Sequence, residues 1–279
     1  MKIVFKNSLL FCFSASIILL NSCRPEEDIE DKTDAGDIVA AQEMTIADQL
    51  FGEMKNIADQ GESGTLNSYK NGQPAFADCA TVTVSQPQKK VIIDFGTVNC
   101  VCKDLRLRRG VLEITFTGNN YWDSGSVATI VPTNYFVNDH QLIGSKVITN
   151  LNNVSDNDPA WNIVVNGTVI KPNGGGSFQW ESDRVHTWTT GNTTPFNWVD
   201  DEWSVEGSAT LTASTAVEWN LTIMTPLHRA LSCRWLDKGL LRIKRTGLVT
   251  DRFVDYGNGT CDDDAVYTAN GIDYPFKLK

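Results

Sequence analysis

The sequence has few of the residues and none of the short motifs from which catalytic and metal sites are usually built. It contains three histidines, His140, His186 and His228, which lie far apart along the chain. It has no H-E-x-x-H, no G-x-S-x-G and no glycine-rich phosphate-binding loop. These absences argue against a zinc hydrolase, a serine hydrolase of the α/β class and a nucleotide-binding enzyme. We therefore predict no catalytic residue, no metal and no cofactor.

Positive charge is also scarce. The chain has 24 lysine and arginine residues against 34 aspartate and glutamate residues, which gives a formal net charge of −10 at pH 7. No cluster of basic residues stands out in the sequence. Because nucleic acids and anionic lipid headgroups are recognised through basic patches, the composition argues against both as partners.

A hydrophobic run long enough to span a membrane is missing as well. The apolar stretch 9–20 has about a dozen residues, whereas a membrane-spanning helix needs about 20. It follows Lys2 and Lys6 and leads into the run Leu20-Asn21-Ser22-Cys23. This pattern is typical of a signal peptide over 1–22 that ends in a bacterial lipobox, whose cysteine is acylated after cleavage. The alternative is an ordinary signal peptide cut elsewhere, with the cysteine in a disulfide.

The segment after the cysteine is acidic. Residues 23–36 form a predicted tether, and residues 24–37 contain seven acids and two bases. Such a stretch buries too little apolar surface to order itself, so we expect it to be solvated. Cleavage would leave 257 of the 279 residues, and the loss of Lys2 and Lys6 would take the net charge from −10 to −12. That length suits one large β domain or two small ones.

One helix is predicted over residues 37–60. Its apolar residues recur mainly at steps of three and four, as in an amphipathic helix: Val39, Ile46, Ala47, Leu50, Phe51, Met54, Ile57 and Ala58. Asp34 or Asp37 can cap its start, and Gly61 can end it. Because the polar face is acidic rather than basic, we expect the apolar stripe to pack on the β domain. Docking on a membrane surface is the alternative.

From residue 78 to the end, apolar and polar residues alternate, which predicts β-strands. The clearest example is a hairpin with arms 209–213 and 217–223. Comparable arms are expected at about 79–85, 90–96, 110–117, 126–136, 141–150, 161–171, 177–189, 239–246, 249–256 and 264–278, with turn signals at Asn138-Asp139, Gly174-Gly175 and Asn270-Gly271. No helical pattern separates the strands. We therefore predict an all-β domain over 78–279, an antiparallel meander that forms a sandwich or a curled barrel-like sheet.

Two segments are weakly repeated. Residues 93–100 match residues 254–261, and residues 109–118 match residues 238–247. Because the order of the two blocks is exchanged between the copies, a single tandem repeat does not explain the match. We interpret the copies as equivalent hairpins at the two ends of one sheet.

Five cysteines remain once Cys12 and Cys23 are assigned to the signal peptide and the anchor: Cys79, Cys100, Cys102, Cys233 and Cys261. In an exported protein we expect them to form disulfides. A hairpin centred on Gly247 places Cys233 opposite Cys261, and the repeat makes Cys79 and Cys100 the analogous pair. Cys102 is then left over, or takes the place of Cys100. The competing interpretations are a zinc site at Cys100-Val101-Cys102 and a calcium site at Asp262-Asp263-Asp264.

Aromatic residues cluster with carboxylates and amides in two places. Residues 192–203 read NTTPFNWVDDEW, and residues 119–123 read NNYWD. Such clusters suit sugar rings, and loops at the end of a β scaffold are common binding sites. The candidate ligand-binding residues are Trp122, Phe196, Trp198, Asp200, Asp201 and Trp203. The alternative is that the tryptophans plug the end of the β domain.

Several segments resemble a family of Bacteroidota lipoproteins. They are residues 79–84; Asp94-Phe95-Gly96 with Cys100 and Arg108-Arg109-Gly110; residues 225–229 with Cys233-Arg234-Trp235; and residues 255–262. The resemblance covers about residues 40 to 279 and implies export and a β-rich fold. No activity is established for that family, so the resemblance assigns no functional residue. The acidic run after Cys23 also resembles the export signal of surface-exposed lipoproteins of this phylum.

These features predict an outer-membrane protein that is anchored by a lipid at Cys23 and faces the cell surface. A tether that faces the periplasm is the alternative. The expected role is a binding or structural module for a glycan or a protein. A secreted or surface hydrolase that acts on glycans is the alternative function. The predicted partners are the membrane, reached through the lipid, and this glycan or protein ligand.

Overall fold

The computed structural model describes residues 35–63, 77–85, 87–118, 123–152, 158–194 and 197–278. The predicted signal peptide, Cys23 and most of the predicted tether lie outside these ranges. Helix α1 spans Ala35–Ser63, so the predicted helix is confirmed and is longer at both ends than expected. Two 3₁₀ turns occupy Pro172–Gly174 and Trp198–Asp200.

The rest of the described chain is dominated by β-strands. They are β1 Thr81–Ser85, β2 Lys90–Asp94, β3 Cys100–Val101, β4 Leu107–Phe116, β5 Val127–Val137, β6 His140–Asn150, β7 Ala160–Ile170, β8 Ser177–Thr190, β9 Glu202–Ala213, β10 Glu218–Ala230, β11 Lys238–Arg245, β12 Arg252–Asn258, β13 Asp264–Ala269 and β14 Ile272–Lys277. The predicted all-β class with one N-terminal helix is therefore confirmed.

All fourteen strands belong to one antiparallel sheet whose order follows the chain. The exception is β3, which pairs only with β4, so that β2 pairs with β4 as well. The sheet does not close on itself, and β1 and β14 are its edges. Of the two forms that we predicted, the curled single sheet is the one that the protein adopts.

Turn chemistry sets several of the hairpins. Asn138 and Asp139, between β5 and β6, have φ values of 47° and 62°, and Asn270 and Gly271, between β13 and β14, have 52° and 73°. Positive φ at both central residues suits the right-handed twist of a two-residue hairpin, and these residue types tolerate it. The second turn divides the predicted arm 264–278 into two strands.

The repeated segments occupy equivalent places near the two edges of the sheet. Strand β2 pairs with β4, and β12 pairs with β11, in the same register: Ile93 lies opposite Leu112, and Val254 lies opposite Leu241. In each copy the next aspartate accepts a hydrogen bond from the backbone N–H two residues on, at 2.7 and 2.8 Å. The interpretation as equivalent hairpins is confirmed. In the first copy, β2 comes before its partner β4 in the chain. In the second copy, the matching strand β12 comes after its partner β11, so the order of the two repeated blocks is exchanged.

Both predicted disulfides are formed. The Cα atoms of Cys79 and Cys100 are 6.0 Å apart, and those of Cys233 and Cys261 are 5.7 Å apart. Cys102 is left over and buried, and burial raises the pKa of its thiol, which keeps it protonated and slow to react. Because Cys100 is in a disulfide, it is not available for the zinc site that we considered.

The sheet curls around α1 and encloses it. The helix contacts strands β2, β5, β6, β8 and β9. Its buried positions are Ala40, Ala41, Glu43, Met44, Thr45, Ala47, Leu50, Phe51, Glu53, Met54, Lys55 and Ile57. Since successive helix residues are rotated by about 100°, these positions cover most of the circumference. The expected packing on the β domain is confirmed, and it also covers much of the polar face of the helix, including Glu43, Glu53 and Lys55.

The helix lies very close to the sheet at Gly167 of β7. A Cβ atom added there would lie 2.5 Å from Cζ of Phe51 and 2.8 Å from the carbonyl oxygen of Ile143, so a larger residue would displace the ring or the neighbouring strand. In the described part of the chain, no helix combines the length and the apolar character that crossing a bilayer requires.

Three carboxylates on α1 are paired with cations on the sheet. Glu43, Asp48 and Glu53 are spaced by five residues, so each points about 140° away from the one before. Their partners are Lys171 after β7, Arg184 of β8, Arg108 of β4 and Arg106 just before β4. The pairs therefore join the helix to two regions of the sheet, the neighbouring strands β7 and β8 and the more distant strand β4.

The pairs of Glu53 are the most buried. Glu53 and Arg108 are 7% and 3% exposed, and their carboxylate and guanidinium atoms are 2.7 Å apart. Asp104 holds the same guanidinium with two hydrogen bonds of 2.7 and 2.6 Å. Breaking a buried ion pair is costly because the remaining charge has lost both its partner and its water.

We predict that Glu53→Gln lowers the free energy of unfolding by about 3 kcal/mol, because it leaves Arg106 and Arg108 short of negative charge inside the protein. The matched control is Glu113→Gln, which breaks the 2.8 Å pair with Lys90 on the partly exposed outer surface. It should cost less than about 1 kcal/mol. Urea unfolding followed by circular dichroism measures both, and equal losses would contradict the prediction.

Candidate functional site

The predicted ligand-binding loop joins β8 to β9 at one end of the curled sheet. Trp188, near the end of β8, lies opposite Trp203 at the start of β9. Their rings stack with centroids 5.5 Å apart and an interplanar angle of 8°. Trp203 is 9% exposed and belongs to the core, whereas Trp188 is only partly buried. The stacked pair thus extends from the interior toward the surface.

The inner ring of this pair is held by the helix. Trp161 of β7 packs on Trp203 with centroids 5.4 Å apart. Nζ of Lys55, a buried residue of α1, lies 4.6 Å from the ring centroid of Trp161 and 4.7 Å from that of Trp203. A cation over an aromatic face is worth about 2 kcal/mol when it is desolvated. The cation and both rings therefore form a rigid base under Trp188.

Carboxylates of the loop fix the outer ring and its surroundings. The indole N–H of Trp188 donates to Oδ1 of Asp201 at 3.2 Å. The hydroxyl of Thr194 donates to Oδ2 of Asp200 at 2.8 Å, and the other oxygen of Asp200 has no hydrogen-bond partner among the described residues. We call Trp188, Thr194, Asp200, Asp201 and Trp203 the tryptophan rim.

The structure brings together three of the six predicted binding residues, Asp200, Asp201 and Trp203. Asp201 and Trp203 are each 9% exposed and hold Trp188, the more exposed ring of the rim, from the interior side. Trp122, Phe196 and the side chain of Trp198 lie outside the described residues.

Sequence reasoning missed Trp188, although its position in the strand carries a signal. Along β8, Phe178, Trp180, Ser182 and Arg184 alternate as the buried positions, and Trp188 falls on the same alternation. The sequence pattern that predicts the binding residues is the cluster of aromatics and carboxylates in the loop 192–203, and Trp188 lies in the strand before that loop.

His228 of β10 lies beside the rim between two carboxylates. Its Nδ1 is 2.6 Å from Oδ1 of Asp237, which is 4% exposed, and its Nε2 is 3.5 Å from Oε2 of Glu202. A histidine oriented by a buried carboxylate is typical of a general base. Here the second ring nitrogen, Nε2, faces the carboxylate of Glu202 rather than a hydroxyl that a base could activate as a nucleophile. Thr190 also donates to Glu202, at 2.9 Å, so the cluster mainly positions the Glu202 carboxylate.

The acidic turn that we considered for calcium is engaged with a lysine. Nζ of Lys277 lies 2.6 Å from a carboxylate oxygen of Asp263 and 2.6 Å from one of Asp264. The hydrogen bond from Lys277 lowers the pKa of Asp263. Among the described residues, no group of three or more His, Cys, Asp or Glu side chains has a geometry that could hold a metal ion.

A second polar region lies between α1 and the inner face of the sheet. His186 of β8 is surrounded there by the positive charges of Lys146, Arg184, Lys55 and Arg229. Burial, and then these four charges, lower the pKa of His186 well below its usual value. The imidazole is therefore neutral in the folded protein at pH values where it is protonated in the unfolded chain.

We predict that His186 makes the protein less stable as the pH falls. Above about pH 6.5 it is neutral in both states and adds no pH dependence. Below that value the unfolded chain binds the proton first, so the free energy of unfolding decreases until the lowered folded pKa is reached. In His186→Gln this contribution should disappear, which flattens the profile below pH 6.5 by up to about 1.4 kcal/mol per pH unit. Urea unfolding at several pH values measures it, and parallel profiles for the two proteins would contradict the assignment.

Comparisons with models of protein families, with curated proteins and with solved structures found no match to this chain. The resemblance to Bacteroidota lipoproteins stays a prediction from the sequence. The function is therefore inferred from the geometry of the protein itself.

Proposed function

We propose that this protein is a lipid-anchored envelope protein, exposed on the cell surface, that binds a glycan through the tryptophan rim. The observation that carries the proposal is the partly exposed ring of Trp188, which is stacked on buried Trp203 and hydrogen-bonded to Asp201. Such a ring offers a rigid apolar face at the end of a β scaffold, where ligand sites are common.

The chemistry of the rim suits a sugar. Sugar rings present C–H faces that pack on an indole and hydroxyls that donate to carboxylates. The carboxylate of Glu202, next to the rim, is 43% exposed and can accept such hydrogen bonds. Because stacking and hydrogen bonds already order Trp188, little side-chain entropy is lost when a ligand binds.

The proposed anchor limits the distance between the membrane and the start of α1. Eleven residues, 24–34, separate Cys23 from the start of α1. Fully extended, they reach at most about 40 Å. A lipid at Cys23 would therefore keep the start of α1 within about 40 Å of the membrane surface.

We predict that a labelled sample of the full chain binds members of a glycan array and that Trp188→Ala weakens this binding about 30-fold. That loss corresponds to about 2 kcal/mol, the usual threshold for an aromatic hot spot. Trp188→Phe, which keeps a ring, should retain part of the affinity. Calorimetry with the best glycan measures all three proteins.

The matched control is Tyr274→Ala on β14, another partly buried aromatic that packs against a second ring, Tyr267, at 6.2 Å. It should leave glycan binding unchanged. No binding on the array, or equal losses in the two alanine variants, would contradict a glycan site at the rim. Release of shortened glycans that is lost in His228→Gln would instead favour the alternative of a glycan hydrolase.

We predict that the wild-type protein incorporates labelled palmitate and sediments with outer membranes, whereas Cys23→Ser does neither. Cys102→Ser is the control, because the thiol that it removes is buried in the domain. Protease added to intact cells should degrade the β domain, as judged by antibody. Protection until the outer membrane is permeabilised would contradict the surface location and favour the periplasmic alternative.

A further inference from the structure

A small cleft lies between α1 and the inner face of the sheet, away from the tryptophan rim. Its volume is about 40 Å³. The polar side chains in its lining are Asp48 of the helix and Lys146, Ser182, Arg184, His186 and Arg229 of the sheet. The remaining lining is mostly apolar and includes Phe51, Ile163, Val165, Trp180 and Leu227. A polar group in this cleft therefore interacts strongly, because little water screens it.

Arg184 offers an unpartnered hydrogen-bonding edge at this cleft. The side chain is 6% exposed, and its Nη1 donates to Oδ1 of Asp48 at 2.5 Å. Its Nε and Nη2 are buried and have no hydrogen-bond partner among the described residues. These two groups lie on one edge of the guanidinium, where their N–H bonds are parallel and match the two oxygens of a carboxylate. A buried donor pair of this kind is costly unless something accepts from it.

The charge of the lining favours an anion. Three cations, Lys146, Arg184 and Arg229, face one carboxylate, Asp48. Lys146 is held by the carbonyl of Phe51 at 2.7 Å, whereas Arg229 forms no ion pair with a described residue and lies against the backbone of Gly52. The neutral state of His186 agrees with a positive potential here. This surplus stands out in a chain whose net charge is −10.

The size of the cleft limits the occupant. The centres of water-sized molecules can occupy about 40 Å³ of the cleft, which is room for about three waters and limits the occupant to a group of about the size of acetate. We propose that the cleft binds a carboxylate through Nε and Nη2 of Arg184, with Arg229 supplying a second positive charge. The carboxylate belongs either to a small free acid or to the end of a larger molecule. This site is independent of the glycan proposed for the rim.

Isothermal titration calorimetry of the full chain with sodium acetate tests the proposal, with sodium chloride at the same ionic strength as the reference. We expect acetate to bind and chloride to bind at least about tenfold more weakly. Only a carboxylate has two oxygens that accept from both donors of the Arg184 fork, Nε and Nη2. Hexanoate is the second probe. Equal or tighter binding of hexanoate assigns the site to the end of a larger molecule, and binding of acetate alone assigns it to a small free acid. Either result supports the proposal.

Four variants separate binding from damage to the fold. Arg184→Lys keeps the charge but removes the fork, and it should weaken acetate at least about tenfold. Arg229→Gln, at a partly exposed position, should weaken it severalfold. Asp48→Asn removes the one carboxylate of the lining and should tighten binding, which a destabilised cleft would not do. Lys244→Gln is the control, because Lys244 is 63% exposed and pairs with Asp251.

Thermal unfolding in the absence of acetate shows which variants remain folded, so the affinities are compared only among folded proteins. Three results would overturn the proposal. The first is that acetate gives no more binding heat than chloride, which would leave water as the occupant of the cleft. The second is that Arg229→Gln and Asp48→Asn, both folded, bind acetate as the wild type does. The third is that Lys244→Gln weakens acetate as much as Arg229→Gln.

Discussion

The pairing of helix carboxylates with cations from the inner face of the sheet is the interaction on which the rest of this fold depends. Apolar packing alone would let α1 rotate or slide inside the curl, because hydrophobic contact has no direction. Glu43, Asp48 and Glu53 point in three directions, and each meets its partner on a different part of the sheet. The pairs therefore specify both the depth and the rotation of the helix. In the curled sheet, the strands that carry these cations lie around α1.

An interior filled by a helix changes where ligands can bind. A curled sheet of this size would otherwise enclose a large apolar cavity, but here the side chains of α1 occupy it. A small cationic cleft lies on one side of the helix, and the tryptophan rim lies at one end of the sheet. The helix shapes both places, through Asp48 at the cleft and through Lys55 under the rings of the rim. One buried element thus supports two sites of different chemistry.

Much of the fold could be predicted because local patterns decide it. The alternation of apolar residues, the Asn-Asp and Asn-Gly turns and the exchanged repeat together identify most of the strands and both disulfides. The enclosure of α1 could not be predicted in this way, because an acidic helix face is read as solvated unless its partners are known. Those partners, Arg108 and Arg184, occupy positions of their strands that alternate with exposed ones and face the interior. The neighbouring sequence does not indicate why a charged residue stands at such a position. Trp188 could not be predicted for a related reason. It lies in strand β8, outside the loop 192–203 whose composition predicts a binding site.

The position of α1 at the beginning of the described chain has a consequence for how the protein folds. A sheet that encloses a helix has to be open or incomplete when the helix enters it. The chain meets this condition because α1 precedes every strand, and each later hairpin can add to the growing sheet next to a strand that is already in place. Contacts between neighbouring strands are local in sequence and form quickly, whereas those between α1 and β10 close a loop of more than 150 residues. Contacts between α1 and the C-terminal strands therefore carry a larger loop-closure cost than contacts between neighbouring strands.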